Sequence, residues 1–239
     1  MPEFPFQCFD PNQDHTIVWK RLPHWAQAGT ICFITWRTAD SFPRDLVEKF
    51  IARREELLRQ LSIDPRGDWR QSIQKLPTAI RERTQWELFA NWDEQLDLAA
   101  GACVLREPDL SEIVLNSLLH FDNDRYFLTD AVVMPNHVHL LVAFRSEAML
   151  VTQCKSWKRY TATKINRWLR NKNYSTNSGI MPVSASGEFW QVDQFDHLVR
   201  SPDEYARYRR YIAENPEKAG LVAGSYRYYS KPISGSITP

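Results

Sequence analysis

The stretch VVMPNHVHLLV, residues 132–142, sets two histidines, His137 and His139, one residue apart in an otherwise apolar run. Two imidazoles at that spacing can hold one divalent metal ion. Further along, YIAENPEK carries Tyr211 and Asn215, four residues apart. Tyrosine offers a phenolic oxygen, and asparagine a hard carbonyl oxygen that suits Mg²⁺ or Mn²⁺. Each residue also has a plain structural use. The histidines can face solvent or hydrogen-bond, Tyr211 can pack beside Tyr205, Tyr208 and Ile212, and Asn215 can close a helix before Pro216. Spacing alone does not separate these uses from metal binding.

Several chemistries drop out at once. Histidine-triad nucleotide hydrolases need a third histidine where this chain has Leu141. A phosphodiesterase built on two separated H-x-[ST] motifs fails because His139 stands where a serine or threonine is required. The four cysteines, Cys8, Cys32, Cys103 and Cys154, form no CxxC pair, which argues against a disulfide framework or a structural zinc site. No glycine-rich phosphate loop occurs. The N-terminus lacks the basic and apolar regions of a secretory signal. No run approaches the roughly 18 apolar residues needed to span a bilayer, so no membrane partner is expected. At 239 residues, 43% hydrophobic and 25% charged, the chain can build one full core. A net charge of +1 names no partner, so any nucleic-acid signal must lie in where the charge sits.

The elements that would position these groups follow from periodicity. Residues i and i+2 of a strand share a face. His137 and His139 therefore project together, while Val138, Leu140 and Val142 face a core. Residues 125–144 read as two strands flanking a turn at Pro135-Asn136. Residues 1–28 read as an N-terminal arm packed on the domain, and residues 29–38 as a strand. Residues 40–61 read as an amphipathic helix carrying Leu46, Phe50, Ile51, Leu57, Leu58 and Leu61. A turn-rich break spans 62–77, and helical character resumes over 78–99. Residues 107–122 form another helix, with Ile113, Val114, Leu118 and Leu119 as its stripe. Residues 174–188 are a polar loop, and 188–200 are short, aromatic and partly extended. A helix then begins at Ser201, with Pro202 in its first turn and Glu204 completing a capping box, and Pro216 is expected to end it. Residues 223–239 read as a C-terminal tail.

Between these lies a basic helix. Residues 151–172 hold Lys155, Lys158, Arg159, Lys164, Arg167, Arg170 and Lys172 and no acidic residue, with Trp157, Tyr160 and Trp168 interleaved. That pattern suits backbone contact with nucleic acid and base stacking, and equally a solvated face. Arg207, Arg209 and Arg210 sit on the helix of Tyr211. Tyr160 is the rival phenol, but Thr163 and Lys164 fill the positions where a helical ligand neighbour would stand. His197 can be an extra ligand, a phosphate contact or a packing residue.

Taken together, MPNHVH, the basic helix, and YI-x-x-NP-x-x-AGL (Tyr211-Ile212, Asn215-Pro216, Ala219-Gly220-Leu221) resemble the REP-associated tyrosine transposases. These are single-tyrosine members of the HUH (histidine, bulky hydrophobic, histidine) group. FITWRTADSFP near the start looks like the family's first strand. The resemblance covers roughly residues 29–222 as one catalytic domain and thins over 62–105, which look like a helical elaboration. It implies an α+β, ferredoxin-like (RRM-like) antiparallel sheet with helices on one face. It implies His137, His139 and Asn215 as ligands of Mg²⁺ or Mn²⁺, and Tyr211 as nucleophile. It implies single-stranded or hairpin DNA as partner, contacted by Lys155, Lys158, Arg159, Lys164, Arg167, Arg207 and Arg210, and a place at the bacterial nucleoid in the cytoplasm. The activity implied is cleavage and strand transfer beside repeat hairpins through a 5′-phosphotyrosine. A hairpin-binding protein without cleavage is the alternative. Monomer and homodimer both remain open.

Overall fold

The computed structural model describes residues 6–19, 23–41, 44–77, 79–81, 83–84, 87–88, 101–172, 188–192 and 194–232. In chain order its elements are β1 (Thr16–Trp19), β2 (Pro23–Ala26), β3 (Ile31–Arg37), α1 (Arg44–Gln60), α2 (Trp69–Gln74), a 3₁₀ turn (Val104–Arg106), α3 (Pro108–Leu119), β4 (Tyr126–Val133), β5 (His137–Phe144), α4 (Met149–Asn171), β6 (Phe195–Leu198), α5 (Pro202–Lys218) and β7 (Arg227–Ser230). The chain divides into two compact units, one of Met1–Asp40 with Ala102–Pro239 and one of Ser41–Gly101.

The first unit is α+β. Its five-stranded antiparallel sheet runs β6-β3-β5-β4-β7. The path β3-α3-β4-β5-α4-β6, with strand order β6-β3-β5-β4, is the expected ferredoxin-like layout. Pro135-Asn136 makes the expected turn, closed by Met134 N–H donating to the carbonyl of His137 at 2.9 Å.

Alternation along the strands gives the sheet two different faces. On one, Ile34, Trp36, Val133, Val138, Leu140 and Val142 join Leu110, Val114 and Leu118 of α3 and Leu150, Cys154, Trp157 and Ile165 of α4 in one apolar cluster. Trp157 stacks on Trp36 at 5.8 Å and donates to the Tyr126 hydroxyl at 3.3 Å, which in turn donates to the Leu118 carbonyl at 2.7 Å. Thus α3 and α4 share one face. Helix α5 lies across the other face, where Tyr208 stacks on Phe33 of β3 with ring centroids 4.3 Å apart.

Four expectations need correction. Pro216 does not end α5, which continues to Lys218. A proline in the last turn forfeits only one intrahelical bond. The end falls at Gly220, which takes φ +63° while Ala219 N–H donates to the Asn215 carbonyl at 3.0 Å. Residues 223–239 are not all tail, because Arg227–Ser230 pairs with β4 as the fifth strand. The break at 62–77 contains α2, started by Asp68, whose side chain accepts from Gln71 N–H at 3.1 Å. Within residues 1–28, β1 and β2 form a two-stranded sheet, while Phe9 N–H donates to the Val199 carbonyl at 2.7 Å. Residues 91–99 of the stretch read as helical, the loop 174–187 and residues 233–239 lie outside the described residues.

The second unit, taken by itself, packs Leu58, Ile63 and Ile73 with Leu61, Trp69, Leu76 and Leu88 around them.

The start of α5 is as expected. Ser201 Oγ accepts from Glu204 N–H at 3.1 Å, although the Glu204 carboxylate reaches back to Arg200 N–H at 2.7 Å rather than to the cap residue. Ser201→Ala is expected to destabilise the fold by about 1 kcal/mol. A shift of the urea midpoint is the check, and an unchanged midpoint would show that Arg200 and Glu204 carry the helix start alone.

Candidate functional site

Register assembles the site. In the β3/β5 ladder, Phe33, Thr35 and Arg37 lie opposite Leu141, His139 and His137. Directly paired residues of antiparallel strands share a face, so all six belong to the face that α5 covers. His137 and His139 are 1% and 0% exposed, with ring centroids 4.6 Å apart. Phe33 stacks on His139 at 5.6 Å.

Each imidazole is oriented through Nδ1. The Asn136 side-chain oxygen lies 2.7 Å from Nδ1 of His137, and the Thr35 hydroxyl 2.7 Å from Nδ1 of His139. The Asn136 oxygen can only accept, so Nδ1 of His137 carries the proton and its lone pair sits on Nε2; when the Thr35 hydroxyl accepts from Nδ1–H of His139, that ring is arranged the same way. Supporting bonds of this kind fix the tautomer and orientation of metal-binding histidines. Burial pushes the imidazolium pKa of His139 down from 6.5 to about 3, so the ring is neutral near pH 7, the form that coordinates a metal.

Helix α5 brings the phenol. The Tyr211 ring meets His139 edge-on at 5.3 Å and Phe33 at 5.9 Å. Asn215 is one helical turn further, on the same helix face. It is 0% exposed, and among the described residues neither Oδ1 nor Nδ2 has a hydrogen-bond partner. Buried amides are nearly always bonded, and the continuation of α5 past Pro216 removes helix termination as its purpose. No three His, Cys, Asp or Glu side chains gather as a cation site among the described residues. His137, His139 and Asn215 supply nitrogen and oxygen donors on two elements, β5 and α5, that meet at this face. Donors of those types suit a divalent ion that takes mixed nitrogen and oxygen ligands.

No family model and no curated protein matches the chain. A solved structure that it resembles is that of a REP-associated tyrosine transposase bound to a REP hairpin. The TM-score is 0.42 at 12% identity, over 85% of this chain and 76% of that one. A likeness of that size decides nothing about residues or activity.

The basic residues divide. Lys155, Arg159, Lys164 and Arg167 are exposed on α4, whose buried side faces the sheet from across the histidines. They are not brought to the site. Tyr160, 52% exposed with the Lys164 ammonium 5.6 Å from its ring, lies with them, which removes it as rival nucleophile for this centre. The Lys158 ammonium is held by the carbonyl of Val192 at 2.7 Å and the side chain of Gln194 at 3.0 Å. Arg207 pairs with Glu204 at 3.1 Å, and Arg210 is exposed on α5. His197 lies opposite Phe33 and meets Glu204 at 3.1 Å. No helix among the described residues is long and apolar enough to cross a membrane.

Sequence reasoning missed Thr35, Arg37 and the supporting role of Asn136. The alternation of Phe33, Thr35 and Arg37 was visible in ICFITWR, but not which strand they would oppose. Burial lowers the guanidinium pKa of Arg37 to about 9, which leaves it charged at pH 7.

The His139 shift has a consequence for stability. The unfolded imidazole takes a proton below about pH 6.5, and the folded one only near pH 3, so the unfolded state binds more protons between those values. Metal-free protein is therefore expected to lose stability as pH falls from about 6.5, by up to roughly 1.4 kcal/mol per pH unit. His139→Gln should flatten that part of the curve. Identical pH profiles of the melting temperature for the two proteins would refute it.

Proposed function

We propose that the protein is a metal-dependent single-stranded DNA endonuclease and strand transferase that acts beside repeat hairpins, with Tyr211 as nucleophile. The observation that carries this reading is the meeting of the two motifs on one buried sheet face. Tyr211 lies 5.3 Å from His139, and Asn215 is buried with neither polar side-chain atom bonded among the described residues. The motif resemblance supports the same residues.

In this reading His137 and His139, through Nε2, and Asn215, through Oδ1, hold Mg²⁺ or Mn²⁺. When bound, the ion neutralises charge on the scissile phosphate and orients it. The remaining work belongs to the chain. Thr35 and Asn136 keep the imidazoles in their coordinating tautomer. Phe33 and Tyr208 wall the floor of the site. Tyr211 attacks phosphorus, so an O–P bond forms to the phenol and the bond to the 3′ oxygen breaks. The phenolic proton passes to solvent, and the departing 3′ oxygen takes one up. The products are a 5′-phosphotyrosine and a free 3′-hydroxyl. The covalent link retains the bond's free energy, so rejoining or transfer needs no nucleotide cofactor. Arg207 and Arg210 on α5, and Lys155, Arg159, Lys164 and Arg167 on the far side of the sheet, suit backbone contacts with the DNA partner.

The test is a denaturing gel. The protein is incubated with Mn²⁺ and end-labelled single-stranded oligonucleotides drawn from palindromic repeats near its gene. A protein-linked band that disappears with EDTA is expected. Oligonucleotides that are bound but never linked, in Mg²⁺ and in Mn²⁺, would leave a hairpin-binding protein without cleavage.

A further inference from the structure

Helix α5 carries a third polar group on the side that holds Tyr211 and Asn215. Lys218 stands seven residues after Tyr211 and three after Asn215, and residues at those spacings share one side of a helix. Helical side chains lean toward the N-terminus, so the Lys218 stem runs back toward the phenol. Its ammonium lies 5.9 Å from the centre of the Tyr211 ring, and that ring meets His139 at 5.3 Å. The fold thus brings a cation to the ring that bears the attacking oxygen. Lys218 also has two ordinary uses. It pairs with Glu214, one turn back, at 2.9 Å, and it sits in the last turn, where a cation suits the helix dipole. Neither use ties the ammonium down. The Lys218 and Glu214 side chains are 55% and 52% exposed, and an ion pair so open to water is weak. An anion that arrives beside Tyr211 can therefore take the ammonium from Glu214 with little loss. A phosphodiester under attack by Tyr211 is such an anion, since its phosphorus must come within about 3.5 Å of the phenolic oxygen. The four-carbon stem and three donors of a lysine let the ammonium change partners while the helix stays in place.

We infer that Lys218 contacts the substrate, exchanging Glu214 for a non-bridging oxygen of the phosphodiester that Tyr211 attacks. This rests on the reading of the face as a phosphodiester site. Glu214 is then the group that holds the cation beside the phenol until the substrate arrives. The substrate class selected is a phosphodiester that keeps its negative charge at the reacting phosphorus.

The experiment titrates thymidylyl-thymidine, which carries one phosphodiester, and its neutral methylphosphonate analogue into the full-length protein with Mg²⁺. Lys218→Gln should weaken binding of the charged dinucleotide by about tenfold and leave the neutral one unchanged. Lys218→Arg should keep most of the wild-type affinity. Glu214→Gln should tighten the charged dinucleotide by about twofold, because the carboxylate no longer competes for the ammonium. The same substitution in the Lys218→Gln background should do nothing. That dependence separates an exchange of partners from a change in net charge, which would act alike in both backgrounds. Equal affinity of wild type and Lys218→Gln for the charged dinucleotide overturns the inference. So does a Glu214→Gln effect that is absent, or of one size in both backgrounds. Both side chains are exposed, so the variants should fold, and melting curves check it. The outcome is separable from the nuclease reading. Lys218-dependent binding without any protein–DNA adduct would sink the nuclease and keep the phosphate contact. An adduct with unaltered dinucleotide binding in Lys218→Gln would do the reverse.

Discussion

Tyr211→Phe should abolish the covalent adduct and leave the protein folded and able to bind DNA. The substitution keeps the ring that packs edge-on against His139 and Phe33 and removes only the hydroxyl. The expected melting temperature is therefore near wild type, and the expected fall in adduct formation is at least about 10⁴-fold, the scale seen when a covalent nucleophile is lost. Tyr160→Phe is the internal control. Tyr160 is exposed on the side of the sheet away from the histidines, so its loss should leave the adduct rate unchanged. A Tyr211→Phe protein that still links to DNA, or a Tyr160→Phe protein that does not, would move the nucleophile elsewhere.

Asn215→Leu should make the metal-free protein more stable and the centre inert. The amide is fully buried, and neither of its polar atoms is bonded among the described residues. That arrangement costs about 1–3 kcal/mol, which an apolar side chain of similar size relieves. The melting temperature without metal should rise by roughly 2–12 °C. Mn²⁺ affinity should fall by at least about tenfold, no less than the loss of a supporting shell produces. Opposite signs for stability and metal binding identify a residue kept for function at the expense of the fold. A variant that is less stable than wild type and binds Mn²⁺ equally well would make Asn215 a packing residue.

Much of this site was legible in local pattern. Period two along VVMPNHVHLLV separates His137 and His139 from Val138, Leu140 and Val142, and the structure keeps that separation. Helical spacing puts Tyr211 and Asn215 on one face, and Ser201 marks the start of their helix. These features depend on a few neighbouring residues, and backbone geometry fixes them wherever the segment lies.

What local pattern could not supply is pairing. Thr35 supports His139, and Arg37 stands beside His137, only because β3 meets β5 in one register, and a slip of one residue would turn both side chains to the other face. Residues 227–230 become a strand because β4 offers them an edge. Pro216 stays inside α5 because the lost bond falls in a last turn that Gly220 then closes. The basic helix α4, which sequence placed among the DNA contacts, packs on the face opposite the histidines, so its cations and the phenol serve different sides of the sheet. The residue types, their spacing and the direction of each side chain within its own element were set by the sequence alone. Which elements met, in which register and on which face, was decided by the tertiary structure, because those contacts join residues far apart in the chain and depend on burying apolar surface across the whole sheet.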